Sequence, residues 1–282
     1  MAPTRREVIK HSLSGGFALA TLPIAESALA TNAQGLDAGE VKIATAAGEI
    51  PAYRAVKTGD AKHPMPVLLV VHEIFGVHEH IKDLCRRFAK LGYFAVAPDL
   101  FARQGDATQI TDVKQLVQTI VSKTPDAQVA GDLDATVAWA GKQARADVSK
   151  LGITGFCWGG RITWLYAAHQ PALKAGVAWY GKVIGDKDPL HPKQPVDLAA
   201  DLKAPVLGLY GGQDAGISLD SLEQMKSALA ASAAPAAKQC EFHVYPDAGH
   251  AFAADYRPSY RKADAEDGFQ RMHAWLKKHG VG

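Results

Sequence analysis

A doubly wound α/β domain, with a mainly parallel sheet covered by helices on both faces, is the fold class this sequence predicts. Three observations predict it. Short apolar runs that do not alternate with polar residues recur along the chain, segments with helical spacing lie between them, and one run ends in a glycine-flanked turn leading straight into a helix. Strands too apolar to alternate are buried on both faces, as in a parallel sheet sandwiched by its own crossover helices.

The elements follow in order. A β-rich lead-in runs from Val41 to Val56, and the apolar runs Val67 to Val71, Tyr93 to Ala97, Leu151 to Thr154, Ala175 to Trp179, Val206 to Leu209 and Phe242 to Tyr245 read as strands. Helical spacing covers Ile81 to Leu91, Val129 to Ala144, Gly160 to Ala168, Leu219 to Leu229 and Ala263 to Lys278. Thr124-Pro125 supplies an N-cap and a proline with fixed φ for the helix that carries Leu133, Val137 and Trp139. Leu91-Gly92-Tyr93 ends one helix on a residue that can turn left-handed and opens a strand. Gly181 to Ala200 reads as a long loop bordering the mouth of the site, and Ala228 to Ala237, with Pro235, as a frayed helix end and surface loop.

With 282 residues, 48% of them apolar, the chain can build one full core, so one catalytic domain over residues 31–282 is expected. Residues 1–30 read as an export signal. Thr4-Arg5-Arg6-Glu7-Val8-Ile9-Lys10 is basic, Leu13 to Ile24 is weakly apolar, and Ala28-Leu29-Ala30 is a small-residue cleavage site. The apolar run is too short and too rich in Gly and Ser for a permanent anchor. The paired arginines resemble a twin-arginine signal, with Val8 where that pattern usually has Phe. Cleavage after Ala30 removes three cations and two acids, taking the formal charge from +2 to +1. So small an excess argues against nucleic acid or an anionic membrane as the main partner and fits an enzyme of the periplasm. Cys85 lies on a helix face and Cys240 opens a strand, so both read as packing residues, and sequence alone leaves a disulfide between them open.

The chemistry starts at Gly155-Phe156-Cys157-Trp158-Gly159-Gly160. A strand that turns abruptly into a helix needs small residues around the turning residue, and this is the turn at which an α/β-hydrolase carries its nucleophile. Cys157 occupies it. Asp214, in Gly211-Gly212-Gln213-Asp214, and His250, in Asp247-Ala248-Gly249-His250, follow in the chain order of that fold, each just past a strand end where ligands collect. Cys157 would attack a carbonyl, His250 shuttle the proton, and Asp214 fix the imidazole tautomer. The backbone N–H groups of Ile74 and Trp158 would form an oxyanion hole, and the helix end would favour a thiolate.

The stretch His72-Glu73-Ile74-Phe75-Gly76-Val77-His78-Glu79-His80 lacks the His-Glu-x-x-His spacing of a metalloprotease helix. Glu73 is better explained as a carboxylate near the thiol, exchanging a proton with it; the zinc alternative would take His78 and His80. Arg103, after another strand end, could hold a substrate carboxylate through paired hydrogen bonds or simply be a solvated loop residue.

These blocks, with Pro98-Asp99-Leu100-Phe101-Ala102-Arg103 and Gly249-His250-Ala251-Phe252, resemble the dienelactone hydrolase (carboxymethylenebutenolidase) family over residues 40 to 280. The resemblance implies hydrolysis of an enol-lactone without metal or organic cofactor, by a monomer. It implies Cys157, Asp214 and His250 as triad, Glu73 as the carboxylate that meets the thiol at rest, Ile74 and Trp158 as oxyanion donors, and Arg103 as a substrate-binding residue. The family's second substrate arginine, four residues after the histidine, is Ala254 here, and the next arginine is Arg257. With the export signal, that departure makes acyl transfer a safer expectation than dienelactone itself. An exported esterase or thioesterase is the alternative, and a non-catalytic binding protein the reading of a different class.

Overall fold

The computed structural model describes residues 31–59 and 61–282; the export signal expected over residues 1–30 lies outside the described residues. Eight strands, β1 (Leu36–Thr45), β2 (Gly48–Lys57), β3 (Met65–Val71), β4 (Phe94–Pro98), β5 (Ala146–Phe156), β6 (Leu173–Trp179), β7 (Val206–Gly211) and β8 (Glu241–Tyr245), form one sheet in the order β1-β2-β4-β3-β5-β6-β7-β8. The lead-in is a hairpin: β1 pairs antiparallel with β2 and β2 antiparallel with β4, and every later pairing is parallel. The helices are α1 (Glu79–Lys90), α2 (Val113–Thr119), α3 (Asp126–Ala140), α4 (Trp158–His169), α5 (Leu219–Ala231) and α6 (Lys262–Lys278). They cover both faces of the mainly parallel sheet, the arrangement of an α/β-hydrolase fold.

Burial explains why these strands do not alternate. Val67 to Val71 and Phe94 to Ala97 are all essentially inaccessible, because helices pack against both of their faces. The core continues through Ile153, Phe156, Trp164, Val177, Trp179 and Leu209, with Cys85 fully inside it on α1. Cys85, Cys157 and Cys240 are all free thiols.

One local expectation is corrected, and one helix is added. The N-cap of α3 is Pro125, and the Thr124 hydroxyl instead donates to the carbonyl of Ile120 at 2.9 Å, closing the turn before it. Helix α2 falls in a stretch without an apolar stripe; it buries only Leu116 and is started by Asp112, whose side chain accepts from the Gln115 N–H. The loop after β6 is anchored rather than loose. Arg161 on α4 makes paired hydrogen bonds to Asp126 at 2.7 and 2.8 Å and also reaches Gln194 and the Lys193 carbonyl. No helix among the described residues is long and apolar enough to cross a membrane.

Candidate active site

Cys157 sits between the end of β5 and the start of α4 with φ 56° and ψ −114°, a strained backbone for a residue with a side chain. The strain is held from several sides. The Cys157 N–H donates to the Trp179 carbonyl at 3.0 Å, and its own carbonyl accepts from Gly160. Close backbone approach dictates the flanking glycines. A Cβ on Gly159 would lie 2.4 Å from the Val71 carbonyl oxygen and 2.6 Å from that of His72, and one on Gly155 would lie 2.1 Å from the Gly159 oxygen. The turn is thus wedged against the end of β3, which carries Glu73 and Ile74 just beyond it.

Asp214 and His250 meet across two loops stitched together by Gly212 N–H to the Tyr245 carbonyl at 2.7 Å and Gln213 N–H to that of Ala248 at 2.8 Å. His250 Nδ1 is 2.7 Å from Asp214 Oδ2, while Asp214 Oδ1 accepts from the Gly216 N–H at 2.8 Å. With both oxygens engaged, the carboxylate fixes the tautomer that leaves Nε2 for the site. Burial opposes an imidazolium, but the neighbouring Cys157 and the hydrogen bond that the ring donates to Asp214 outweigh it and lift His250 to about 10. Tyr180, itself at φ 38°, packs edge-on against the His250 ring at 5.2 Å.

Trp158 is the first residue of α4, and neither its N–H nor that of Ile74 donates to a backbone carbonyl among the described residues. The Trp158 ring stacks on His72 at 5.4 Å and tilts against Phe101 at 4.6 Å, forming a wall with Ile74. His72 is spent on structure: its Nε2 accepts from the Leu100 N–H at 3.1 Å, so Nδ1 carries the hydrogen and donates to the Glu73 carbonyl at 2.6 Å. Full burial holds the ring neutral, down at about 4.

Glu73 does not meet the thiol in this state. Its Oε2 accepts from Tyr256 Oη at 2.9 Å and Arg257 Nη2 at 3.2 Å and lies 3.5 Å from His78 Nε2, while Oε1 is buried without a partner. The expected resting contact is replaced because Arg257 reaches the carboxylate first. Burial opposes the charge on Glu73, yet Arg257 and His78 overcome it and hold the carboxyl far below its ordinary range. Arg257 lies over the rings of Phe75 and Tyr256 at 5.0 and 5.1 Å, with Glu73 as its buried counter-charge.

Arg103 is placed differently from the expectation of a free substrate clamp. Its Nη1 and Nη2 bind Asp132 on α3 at 2.6 and 2.7 Å, and Nη2 also donates to Thr45 Oγ1 at 2.7 Å. The fork that would grip a substrate carboxylate is already filled by one from the protein, and it ties α3 to the β1–β2 hairpin. His78 and His80 stand beside Glu73 and Asp255, and no group of three or more metal-ligating side chains occurs among the described residues. Arg257, Tyr256 and Tyr180 are the site residues that sequence reasoning missed. Only Arg257 carried a signal, as the arginine displaced from the position of Ala254.

Comparison with known proteins gives the family. Residues 50–280 match the model of the dienelactone hydrolase family. The chain is 61% identical over 279 residues, 99% of its length and 94% of the relative's, to a Methylorubrum extorquens protein named "putative carboxymethylenebutenolidase". An Escherichia coli K12 protein of the same name is 54% identical over 94% of this chain and 96% of its own. The crystal structure of a "putative dienelactone hydrolase" from Klebsiella pneumoniae superposes with a TM-score of 0.83 at 54% identity, covering 86% of this chain and 99% of that one.

Proposed function

The chain belongs to the dienelactone hydrolase family and is a carboxylic-ester hydrolase, and on that premise we propose that Cys157 cleaves a lactone or ester through an acyl-enzyme with Asp214 and His250 as its triad partners. The single observation that carries this is the relay that accompanies the strained turn: His250 Nδ1 lies 2.7 Å from Asp214 Oδ2, and Cys157 is held at φ 56° between β5 and α4.

The thiolate attacks the carbonyl carbon, and the electron pair of the C=O moves onto oxygen, which takes hydrogen bonds from the N–H groups of Ile74 and Trp158. As the tetrahedral intermediate collapses, the C–O bond to the alcohol breaks and the His250 imidazolium gives its proton to the leaving oxygen. The neutral imidazole then takes a proton from water, hydroxide attacks the thioester, and the thiolate departs, restoring the ion pair. Glu73 is the second base of the site: where Cys157 stands as the thiol, Oε1 takes the S–H proton and leaves the thiolate that attacks. A negatively charged group on the substrate meets Arg257, whose Nη2 lies 3.2 Å from Glu73 Oε2, in place of Arg103. The basic and apolar pattern of residues 5–30 supports export to the periplasm.

Turnover of cis- and trans-dienelactone beside p-nitrophenyl acetate, with Cys157→Ala as control, tests the reading. Cys157-dependent turnover of both classes supports the lactonase; turnover of the neutral ester alone keeps the acyl-enzyme and moves the substrate to other exported esters or thioesters. Activity that survives Cys157→Ala refutes the assignment.

A further inference from the structure

One part of the His72 to His80 stretch has no role in the scheme above. His78 is buried, its side chain only 9% exposed, and both of its ring nitrogens lie out of solvent without a hydrogen-bond partner. A buried imidazole without partners is costly and calls for an explanation. Its ring is boxed by Phe75 edge-on at 6.3 Å, Tyr256 edge-on at 5.5 Å and His80 stacked at 6.1 Å. The box aims Nε2 at Glu73 Oε2, 3.5 Å away, the oxygen that already accepts from Tyr256 and Arg257. Two hydrogen bonds and the edge of the His78 ring thus converge on one oxygen of Glu73 while the other has no partner.

We propose that His78 is a positioning residue for Glu73: its Nε2–H steadies Oε2 so that Oε1 alone stays open to take the Cys157 proton. The proposal rests on the reading of Glu73 as a base for the thiol. In that step the S–H bond breaks, its electron pair stays on sulfur, and an O–H bond forms at Oε1. His78 remains neutral throughout, in keeping with the burial that lowers its affinity for a proton. The charged and titratable groups around it are Glu73 on its own loop, His80 at the start of α1, and Asp255, Tyr256 and Arg257 on the loop after His250, with Asp255 3.3 Å from His80 Nδ1. His80 is therefore turned to Asp255, leaving His78 as the imidazole that serves Glu73.

The test uses the full chain with His78→Met, which keeps bulk but removes the donor, His78→Gln, which keeps an N–H donor, and Glu73→Gln. The readouts are the pH profile of kcat/KM on p-nitrophenyl acetate and of Cys157 alkylation by iodoacetamide. Loss of a donor makes Glu73 more basic, so its protonated, inactive form persists to higher pH. In His78→Met the acid limb moves upward by about one pH unit, a roughly tenfold loss on that limb that shrinks toward alkaline pH; His78→Gln restores the limb. A uniform loss at every pH with an unmoved limb, or a limb that moves equally in His78→Gln, overturns the proposal. Glu73→Gln separates the two ideas: wild-type activity and profile in that variant sink the Glu73 reading itself, whereas its loss of activity with an unmoved limb in His78→Met sinks only the role of His78.

Discussion

Replacing Arg257 with Met isolates the buried charge pair on which the site is built. Met keeps much of the volume against Phe75 and Tyr256 but removes the leading compensation for the Glu73 carboxylate, which is 1% exposed. Breaking a buried pair from one side costs about 3–5 kcal/mol, because the charge left behind has neither water nor partner. At ~2–4 °C per kcal/mol for a chain of this size, even the lower figure lowers Tm by about 6–12 °C at neutral pH. The loss depends on pH with a definite sign. In the wild type Glu73 ionises below its ordinary value of 4.5, so its stabilisation is present above that pH and is lost as pH falls through the depressed pKa. In Arg257→Met burial prevails and raises the pKa, so stability is retained at acid pH and lost as pH rises through the raised value. The gap between the two proteins must therefore be smallest below the depressed wild-type pKa, and already open at pH 4.5 it must widen further toward neutrality. Thermal unfolding across that range, with Glu73→Gln and the double variant, gives the coupling directly. A Tm loss that is independent of pH, or that is equally large in the Glu73→Gln background, would refute the pairing.

Other perturbations separate scaffold from chemistry. Arg103→Ala leaves Asp132, 2% exposed, without its cation, so Tm falls while the ratio of kcat/KM for acidic over neutral esters stays unchanged; a selective loss for acidic esters would restore Arg103 to the substrate. Gly159→Ala drives a methyl to within 2.4 Å of the Val71 oxygen, displacing the turn by something near an ångström, and activity falls about a hundredfold beyond any loss of folded protein. Full activity there would mean the turn is not wedged as described. Asp214→Asn frees the imidazole tautomer, so kcat falls by about two to four orders of magnitude with little change in KM, and stopped-flow turnover of p-nitrophenyl acetate checks it.

Much of this was legible in the sequence because the informative residues carry local patterns. The non-alternating strands announce burial on both faces, and Cys157, Asp214 and His250 each sit in a glycine-bearing turn just past a strand, which fixes both their type and their place in the sheet. What escaped was long-range pairing. Asp132 occupies Arg103 from 29 residues away, and Arg257 reaches Glu73 across 184 residues, distances over which sequence spacing carries no geometry. Position relative to a strand end is all that the sequence offers for Arg103 and Glu73, and it does not show their partners: Arg103 is held by Asp132, and Glu73 rests on Arg257 rather than on the thiol. Helix α2 escaped for a different reason, since a seven-residue helix that buries Leu116 alone leaves no periodic stripe to read.

The nucleophile can be seen directly by acid-quenching the reaction with p-nitrophenyl acetate during its first turnover and mapping the added acetyl group by peptide mass spectrometry. The acyl-enzyme account predicts a burst of one nitrophenolate per active chain, with the acetyl group on the Cys157 peptide and none in Cys157→Ala. An acetyl group on another residue, or turnover without any covalent adduct under conditions where the burst is complete, would contradict it.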